Sequence, residues 1–579
     1  DQVSMSNSIL SLRFLGTMNW REFVETLSPI DRVLREDPAD TYFKMDFFTR
    51  DQYRHAVETI ARKSRISESE VARLAVDLAR QEATGNDKDR RRAHVGYYLI
   101  DAGRNQLERL AQVKLTPWEI AGRISSKMPF LLYVGAILLL TALLTGGAIF
   151  LTRSHEINTL MLAMLALISA IGFSQLAVAL VNWAATILIK PRPLPRMDFS
   201  QGIPPECRTL VAVPTILLNE NYVATLLESL EVRFLANRHD NLFFALLTDF
   251  RDAKTQTLPD DDKLLALAKQ GIERLNEKYA EGREDIFFLF HRSRLWNPSE
   301  NVWMGYERKR GKLGSLNAFL RGKAKDPFGN LFSTIAGDVS ALRNIRYVIT
   351  LDSDTKLPRE TAWQMIGTMA HPLNRPVFDE TRKIVREGYG ILQPRVSVLL
   401  PNTNRSIFAA IHGSSFGIDP YTKAVSDVYQ DIFGEGSFIG KGIYDIDAFE
   451  ASLDGYLPEN HILSHDLIEG CYARSGLISD VQLYEEYPAD YRADVRRRHR
   501  WIRGDWQIAR WVMSRVPTFN GKTQKNPLTY LSQWKIFDNL RRSLVPASLT
   551  LMLLLSWILL PSGLTWTLFV LAVFFVPPL

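Results

Sequence analysis

Two apolar runs, Phe130 to about Thr152 and Thr159 to about Ile189, constrain this chain more than any other feature, because each supplies the roughly 20 residues that a bilayer core requires. A second pair, Leu544 to Leu560 and Leu564 to Val576, closes the sequence, the last run being shorter than ideal. A long polar stretch, Pro191 to Arg542, lies between the pairs. Arg123, Lys127, Lys190, Arg192, Arg196, Lys535, Arg541 and Arg542 all fall on the side of the N-terminus and this middle stretch. The opposite loops offer only Arg153 and nothing basic near Pro561-Ser-Gly. Basic residues mark the cytoplasmic flank of a membrane span. The sequence therefore predicts a cytoplasmic domain hung between two pairs of transmembrane helices.

Composition agrees with a mixture of membrane and soluble segments: 46% of the 579 residues are hydrophobic. The net charge of +6 is dispersed. It argues weakly for an anionic partner such as lipid head groups or a nucleotide, and no nucleic-acid motif accompanies it. Cys207 and Cys471 lie far apart and suggest no disulfide framework, which fits a reducing compartment. The chain starts at Asp1 and stops directly after an apolar run, so it reads as part of a longer polypeptide. No cleavable signal peptide and no internal repeat is visible.

Residues 1–128 read as an N-terminal cytoplasmic helical region, 129–190 as two spans, 191–520 as the main domain, 521–543 as an interfacial helix and 544–579 as two further spans. In the first region Thr49-x-x-Gln52 and Ser67-x-x-Glu70 fit capping boxes. Apolar residues follow at helical spacing, Tyr53, Ala56, Val57 and Ile60, then Val71, Leu74, Ala75 and Leu78. Lys88 to Arg92 is a basic run, read as a solvated face or as a contact with anionic lipid. Thr116-Pro117-Trp118 starts a helix whose Trp118, Ile120 and Ile124 would lie in the membrane interface.

The main domain alternates β-favouring runs with helical ones. Thr209–Thr215, Leu242–Asp249, Ile286–Phe290 and Tyr347–Leu351 are the strands, and Glu220–Leu230 is a helix behind the first. Arg308-Lys-Arg-Gly311-Lys312-Leu-Gly314-Ser-Leu-Asn317 reads as a basic, glycine-bearing turn entering a helix. Strands alternating with helices predict a mostly parallel, doubly wound sheet. In such sheets ligands bind outside the carboxyl ends of the strands, and the strands place Asp249, Asp352 and Asp354 there. Asp352-Ser-Asp354 could be an ordinary acidic turn. At a strand end the two carboxylates instead call for a cation between them, and a hard divalent ion held together with substrate phosphates suits that place.

Three more segments belong to this crevice. Gly434-Glu-Gly436-Ser437-Phe-Ile-Gly440-Lys441-Gly442 permits close backbone approach to a ligand. Its spacing is one position off a phosphate-binding Walker loop, and Gly442 stands where Ser or Thr would hold magnesium. His461-Ile-Leu-Ser-His465-Asp466 presents an acid at a helix start, a place where an Asp is either an N-cap or a base. Arg496 to Trp511 interleaves arginine with tryptophan, chemistry suited to phosphates and to the faces of sugar rings.

The ordered set Asp249, Lys312 in Gly-Lys-x-Gly-x-Leu-Asn, Asp352-x-Asp354, Asp466 and an Arg-Trp cluster resembles the D, DxD, D, QxxRW pattern of processive GT-A glycosyltransferases of the cellulose and chitin synthase group. Gly-Ser-Phe-Ile-Gly-Lys-Gly-Ile-Tyr-Asp, Ser-His-Asp-Leu-Ile-Glu-Gly and Arg-Arg-His-Arg-Trp-Ile-Arg-Gly-Asp-Trp-Gln resemble the glucosyltransferase portion of cyclic β-1,2-glucan synthases. The similarity covers most of the chain. One position departs: aligned on Arg500-Trp501, the pattern's Gln is Arg497 here, while a literal Gln507-x-x-Arg510-Trp511 follows. The continuation Ile502-Arg503-Gly504 favours the first copy.

The resemblance implies an α/β GT-A catalytic domain, Rossmann-like, inserted between pairs of transmembrane helices in a bacterial inner membrane, with membrane lipid around it. It implies UDP-glucose as donor, with Thr215 and Asp249 near the nucleoside and Lys312, Arg500 and Arg503 near the diphosphate. Asp352 and Asp354 would hold Mg²⁺ or Mn²⁺. Asp466 would be the general base, and Trp501, Gly436 and Ser437 would meet the growing glucan chain. One base suffices for inversion, so an α-linked donor would give a β-glucosidic product. In the family the chain grows on the protein itself and is then cyclised, with length control in other domains.

Other readings remain. Asp352-Ser-Asp354-Thr355 also fits the phosphoryl-accepting motif of haloacid-dehalogenase-type phosphatases. That motif sits on a first strand, whereas three strands precede it here. An inactive membrane scaffold that binds a nucleotide sugar, or the same chemistry on a lipid phosphate or another polysaccharide, are the further alternatives.

Overall fold

The computed structural model describes residues 2–18, 25–84, 91–152, 158–279, 285–323, 332–399, 406–412, 427–453, 455–519, 521–559 and 563–577. Lys88 to Arg90 of the basic run, Arg153 and the residues 561 and 562 of the last loop lie outside them. The chain divides into two compact units, one of residues 1–123 with 195–198 and 370–374, the other of the remainder.

The first unit is helical, with its long helices at Gln2–Thr17, Phe47–Arg62 and Glu68–Thr84. Ser67 and Glu70 close the expected capping box, Ser67 N donating to Glu70 Oε2 at 2.7 Å and Glu70 N to Ser67 Oγ at 3.3 Å. The helix before it is capped earlier than expected. Asp46 accepts from Thr49 N, because a carboxylate three residues upstream reaches the first free N–H groups better than Thr49 can from inside the turn. Inside the unit Asp37, His94 and Tyr53 form a chain of side chains. His94 Nδ1 lies 2.7 Å from Asp37 Oδ2 and its Nε2 2.9 Å from Tyr53 Oη. Trp118 stands 86% exposed, with Ile120 and Ile124 also exposed.

The second unit is built on one eight-stranded sheet. Its strands are β1 (Thr209–Leu217), β2 (Leu242–Phe250), β3 (Phe287–Arg292), β4 (Thr334–Ala336), β5 (Tyr347–Thr350), β6 (Ile391–Val398), β7 (Gly442–Asp445) and β8 (Ser475–Glu485). The order across the sheet is β8-β6-β7-β5-β1-β2-β3-β4. β5, β1, β2 and β3 run parallel, as do β6 and β8, while β7 is antiparallel to both its neighbours. A mostly parallel sheet with helical connections is the arrangement expected of a GT-A domain. Strands β1 to β3 and β5 are almost wholly buried, as continuous Val, Leu, Phe and Ile runs require when both faces of a sheet are covered.

Arg308–Leu320 is helical throughout, so the basic segment is a helix and not a turn. Gly311 serves packing there: a Cβ would lie 2.2 Å from the Tyr306 carbonyl oxygen.

Among the described residues two helices, Pro129–Leu151 and Thr159–Leu188, are long and apolar enough to cross a membrane. Gly563–Phe575 is apolar but short, and Tyr530–Leu559 is one continuous helix carrying Lys535, Asp538, Arg541 and Arg542 in its first half and Pro546 inside it. These four helices pack on one another through Ala148, Phe173, Leu549, Met552, Trp566 and Val570.

Candidate active site

Strand β5 ends at Thr350, and the turn after it delivers Asp352 and Asp354. Antiparallel pairing of Gly442 with Thr350 then sets the residue before β7, Lys441, beside that turn. The end of β8 arrives by a separate bridge, Lys356 N donating to Tyr484 O at 2.8 Å, which brings Glu485 to the same place. Carboxylate oxygens of Asp352, Asp354 and Glu485 lie within 4.8 Å of one another. Two ammonium groups face them. Lys309 Nζ is 2.6 Å from Asp352 Oδ1, and Lys441 Nζ is 3.2 Å from Asp352 Oδ2 and 2.5 Å from Glu485 Oε1. Burial disfavours the charge of Asp352, but Lys309 and Lys441 outweigh it and hold the group well below the usual carboxylate range. Asp354 is pushed the other way, by burial and by the neighbouring charges of Glu485 and Asp352.

Lys309 also ties this acidic turn to Asp466. Its Nζ donates to the Gly440 carbonyl at 2.7 Å, and Gly440 packs against the Asp466 carboxylate. Gly440 has φ +87°, a conformation that glycine adopts at little cost. Asp466 is the first residue of the short helix Asp466–Tyr472, and no side-chain cap bond is made at that terminus. It is therefore not spent as an N-cap. Its Oδ1 is buried and makes no hydrogen bond among the described residues. Behind it, His465 Nδ1 lies 2.8 Å from Glu469 Oε1.

The other expected residues are placed differently. Asp249 is 3% exposed and fully engaged, with Arg292 Nε and Nη2 each 3.0 Å from its two oxygens and Lys312 Nζ 3.2 Å from Oδ2. Lys312, itself buried, also donates to the Thr215 carbonyl. The lysine of this helix that reaches the acidic turn is thus Lys309, one helical turn earlier, while Lys312 joins β1 to β2. Thr215 Oγ1 meets Tyr222 Oη at 3.4 Å, and Tyr222 Oη donates to Ser353 Oγ at 3.1 Å, so the β1 end is linked to the acidic turn.

The helix Tyr491–Gln507 presents Arg500, Trp501 and Arg503 to solvent. Arg497 stacks over Trp501 at 4.8 Å. The second copy of the motif has another task. Trp511 is 1% exposed and donates from Nε1 to Tyr472 Oη at 3.1 Å, and Gln507 Oε1 accepts from Leu463 N. Gly504 lies against Ser464, where a Cβ would come within 2.3 Å of the serine Cβ. The Arg-Trp helix and the Asp466 segment are therefore in direct contact. Gly436 and the half-buried Ser437 belong to a loop anchored from below: buried Lys535 donates to the Gly436 carbonyl at 2.7 Å and pairs with Glu435 Oε1 at 2.8 Å.

Lys309, Lys441 and Glu485 escaped the sequence reading as site residues. Lys309 was masked by the arginines on either side of it. Lys441 was visible only as part of a glycine-rich run. Glu485 had one usable signal, its position at the end of a strand.

An α/β sheet whose strand ends gather three carboxylates and two lysines, with a separate aspartate close by, is consistent with the GT-A class of glycosyltransferases. No family model matches the chain. It is 38% identical to the cyclic beta-(1,2)-glucan synthase NdvB of Rhizobium meliloti (strain 1021) over 580 aligned positions, covering 99% of this chain. The chain spans 20% of the length of that relative. It is a cyclic β-1,2-glucan synthase-related protein.

Proposed function

We propose that this chain is the glucosyltransferase portion of a cyclic β-1,2-glucan synthase: an inverting, metal-dependent enzyme that takes glucose from UDP-glucose and elongates a β-1,2-glucan. The observation that carries this reading is Lys309, which bonds both to Asp352 at 2.6 Å and to the Gly440 carbonyl at 2.7 Å, so that the acidic turn and Asp466 share one crevice. The donor set fits a hard divalent ion, since Asp352, Asp354 and Glu485 offer only carboxylate oxygens. Mg²⁺ or Mn²⁺ held there with the diphosphate would supply Lewis acidity toward the departing UDP.

The protein's own groups do the rest. Lys309 and Lys441 add positive charge beside the diphosphate. Asp466 takes the proton from the acceptor hydroxyl, a contribution of about 10² to 10⁴ in rate. Arg500, Trp501 and Arg503, on the helix that touches the Asp466 segment, meet diphosphate and sugar. Asp249, locked by two cations, shapes the nucleoside end of the crevice together with Thr215 and Lys312. The apolar helices hold the domain at the cytoplasmic face of the inner membrane, in contact with membrane lipid, and the remainder of the synthase cyclises the product.

The test is incorporation of label from radiolabelled UDP-glucose by membranes containing the full-length protein. Label in polymer or on the protein, dependent on divalent ions, removed by EDTA and lost in Asp466→Asn and Asp354→Asn, is the expected result. Transfer that survives Asp466→Asn removes Asp466 as the base. No consumption of UDP-glucose leaves only a nucleotide-sugar-binding scaffold.

A further inference from the structure

His465 and Glu469 play no part in the mechanism so far. Both are buried, at 5% and 2% exposure, directly behind Asp466. His465 Nδ1 lies 2.8 Å from Glu469 Oε1 and 3.6 Å from Asp466 Oδ1, so one imidazole nitrogen is within ion-pair distance of two carboxylates, with no aligned hydrogen bond to either among the described residues. Buried charges persist only when paired, and Glu469 has no cation nearer than this ring among the described residues. We propose that the buried Glu469–His465 pair is a positioning device for Asp466, fixing its carboxylate from behind while the acceptor hydroxyl approaches from the crevice. The inference rests on Asp466 being the base.

The charges facing the ring are few. Glu469 and Asp466 come from its own helix, and Lys309 comes from the helix Arg308–Leu320. Burial opposes a charge on His465, Glu469 and Asp466 favour it, and Lys309 opposes it. The balance keeps the ring protonated to higher pH than a free histidine. During transfer the acceptor O–H proton passes to Asp466, the acceptor oxygen bonds to C1, and the C1–O bond to the diphosphate breaks with its electron pair leaving on UDP. His465 keeps its proton throughout. What it supplies is one fixed positive charge and one fixed position.

The pH dependence of kcat, measured with UDP-glucose saturating, reads this directly. A protonated ring required for activity gives the unmodified protein an alkaline limb at higher pH than a free histidine would give, as His465 discharges and two carboxylates are left facing each other. Glu469→Gln, which keeps the shape but removes the nearer anion, moves that limb to lower pH. His465→Gln lowers kcat roughly tenfold, leaves the KM for UDP-glucose within about twofold, and abolishes the limb. UDP binding by calorimetry verifies that each variant is folded. An unmodified profile that is flat up to about pH 9 overturns the proposal, as does a limb that stays in place in either variant. Asp466→Asn, run alongside, separates the two ideas: if it remains active the base assignment fails, and if it is inactive while the limb ignores both variants only the positioning role fails.

Discussion

Gly440 faces Asp466 so closely that a Cβ on Gly440 would lie 2.7 Å from Asp466 Oδ1. The glycine is also at φ +87°, so two independent constraints exclude a side chain there. Gly440→Ala is expected to cost about 1–3 kcal/mol in backbone strain and to displace the carboxylate. Glucosyl transfer should fall at least tenfold while UDP binding changes little, which a comparison of kcat with nucleotide affinity checks.

Lys441 neutralises Asp352 and Glu485 together. Replacing it by Met leaves three carboxylates facing one ammonium, so the site becomes more attractive to a bare cation and less attractive to a diphosphate. Lys441→Met should tighten Mn²⁺ binding in the absence of nucleotide and weaken UDP binding in the absence of metal. Each change should be roughly tenfold, the effect of about 1.4 kcal/mol. Paramagnetic titration of Mn²⁺ and calorimetry with UDP read the two separately.

The two Arg-Trp copies can be told apart by stability. Trp511 is core, so Trp511→Ala should destabilise by about 3–5 kcal/mol and lower the unfolding temperature in detergent. Trp501 is 42% exposed. Its replacement by Ala should leave the unfolding temperature nearly unchanged and reduce polymer yield.

Lys535 and Glu435 form a buried pair whose side chains are 3% and 9% exposed. Removing Lys535 leaves Glu435 with only the more distant Arg474, whose Nε lies 3.8 Å from Oε2, so the cost falls below the about 3–5 kcal/mol of a buried charge left wholly unpaired. Lys535→Met should therefore unfold at lower temperature than the double variant Lys535→Met, Glu435→Gln, and the double-mutant cycle measures the coupling.

Half of the sheet was legible: β1, β2, β3 and β5 are short, unbroken β-favouring runs, and Tyr347 to Leu351 could be little else, whereas β4, β6, β7 and β8 were not read as strands. The capping box at Ser67 and Glu70 was equally plain. The helix from Arg308 was not, because Gly311 and Gly314 carry a breaker's signature while Gly311 serves close packing. That misreading hid the registry by which Lys309, and not Lys312, faces Asp352. Glu485 depends on a bridge between Lys356 and Tyr484 that only the folded sheet creates. The residues whose roles come from strand position were readable, and those whose roles come from pairing across the sheet were not.

The single helix Tyr530–Leu559 touches more of this machinery than any spacing in the sequence suggested. Near its start Lys535 grips the glycine-rich loop. About one turn on, Asn539 Nδ2 donates to Asp505 on the Arg-Trp helix at 3.0 Å, and just beyond it Arg541 reaches Ser174 of the apolar helix Thr159–Leu188 at 3.0 Å. Farther along, Leu549 packs so near Gly172 that a Cβ there would come within 2.9 Å of it. An α-helix resists compression along its axis, so these contacts ride on one axle. A side chain at Gly172 would press first on the Leu549 methyl, so a small one is absorbed by that flexible side chain and only a large one loads the helix that also carries Lys535.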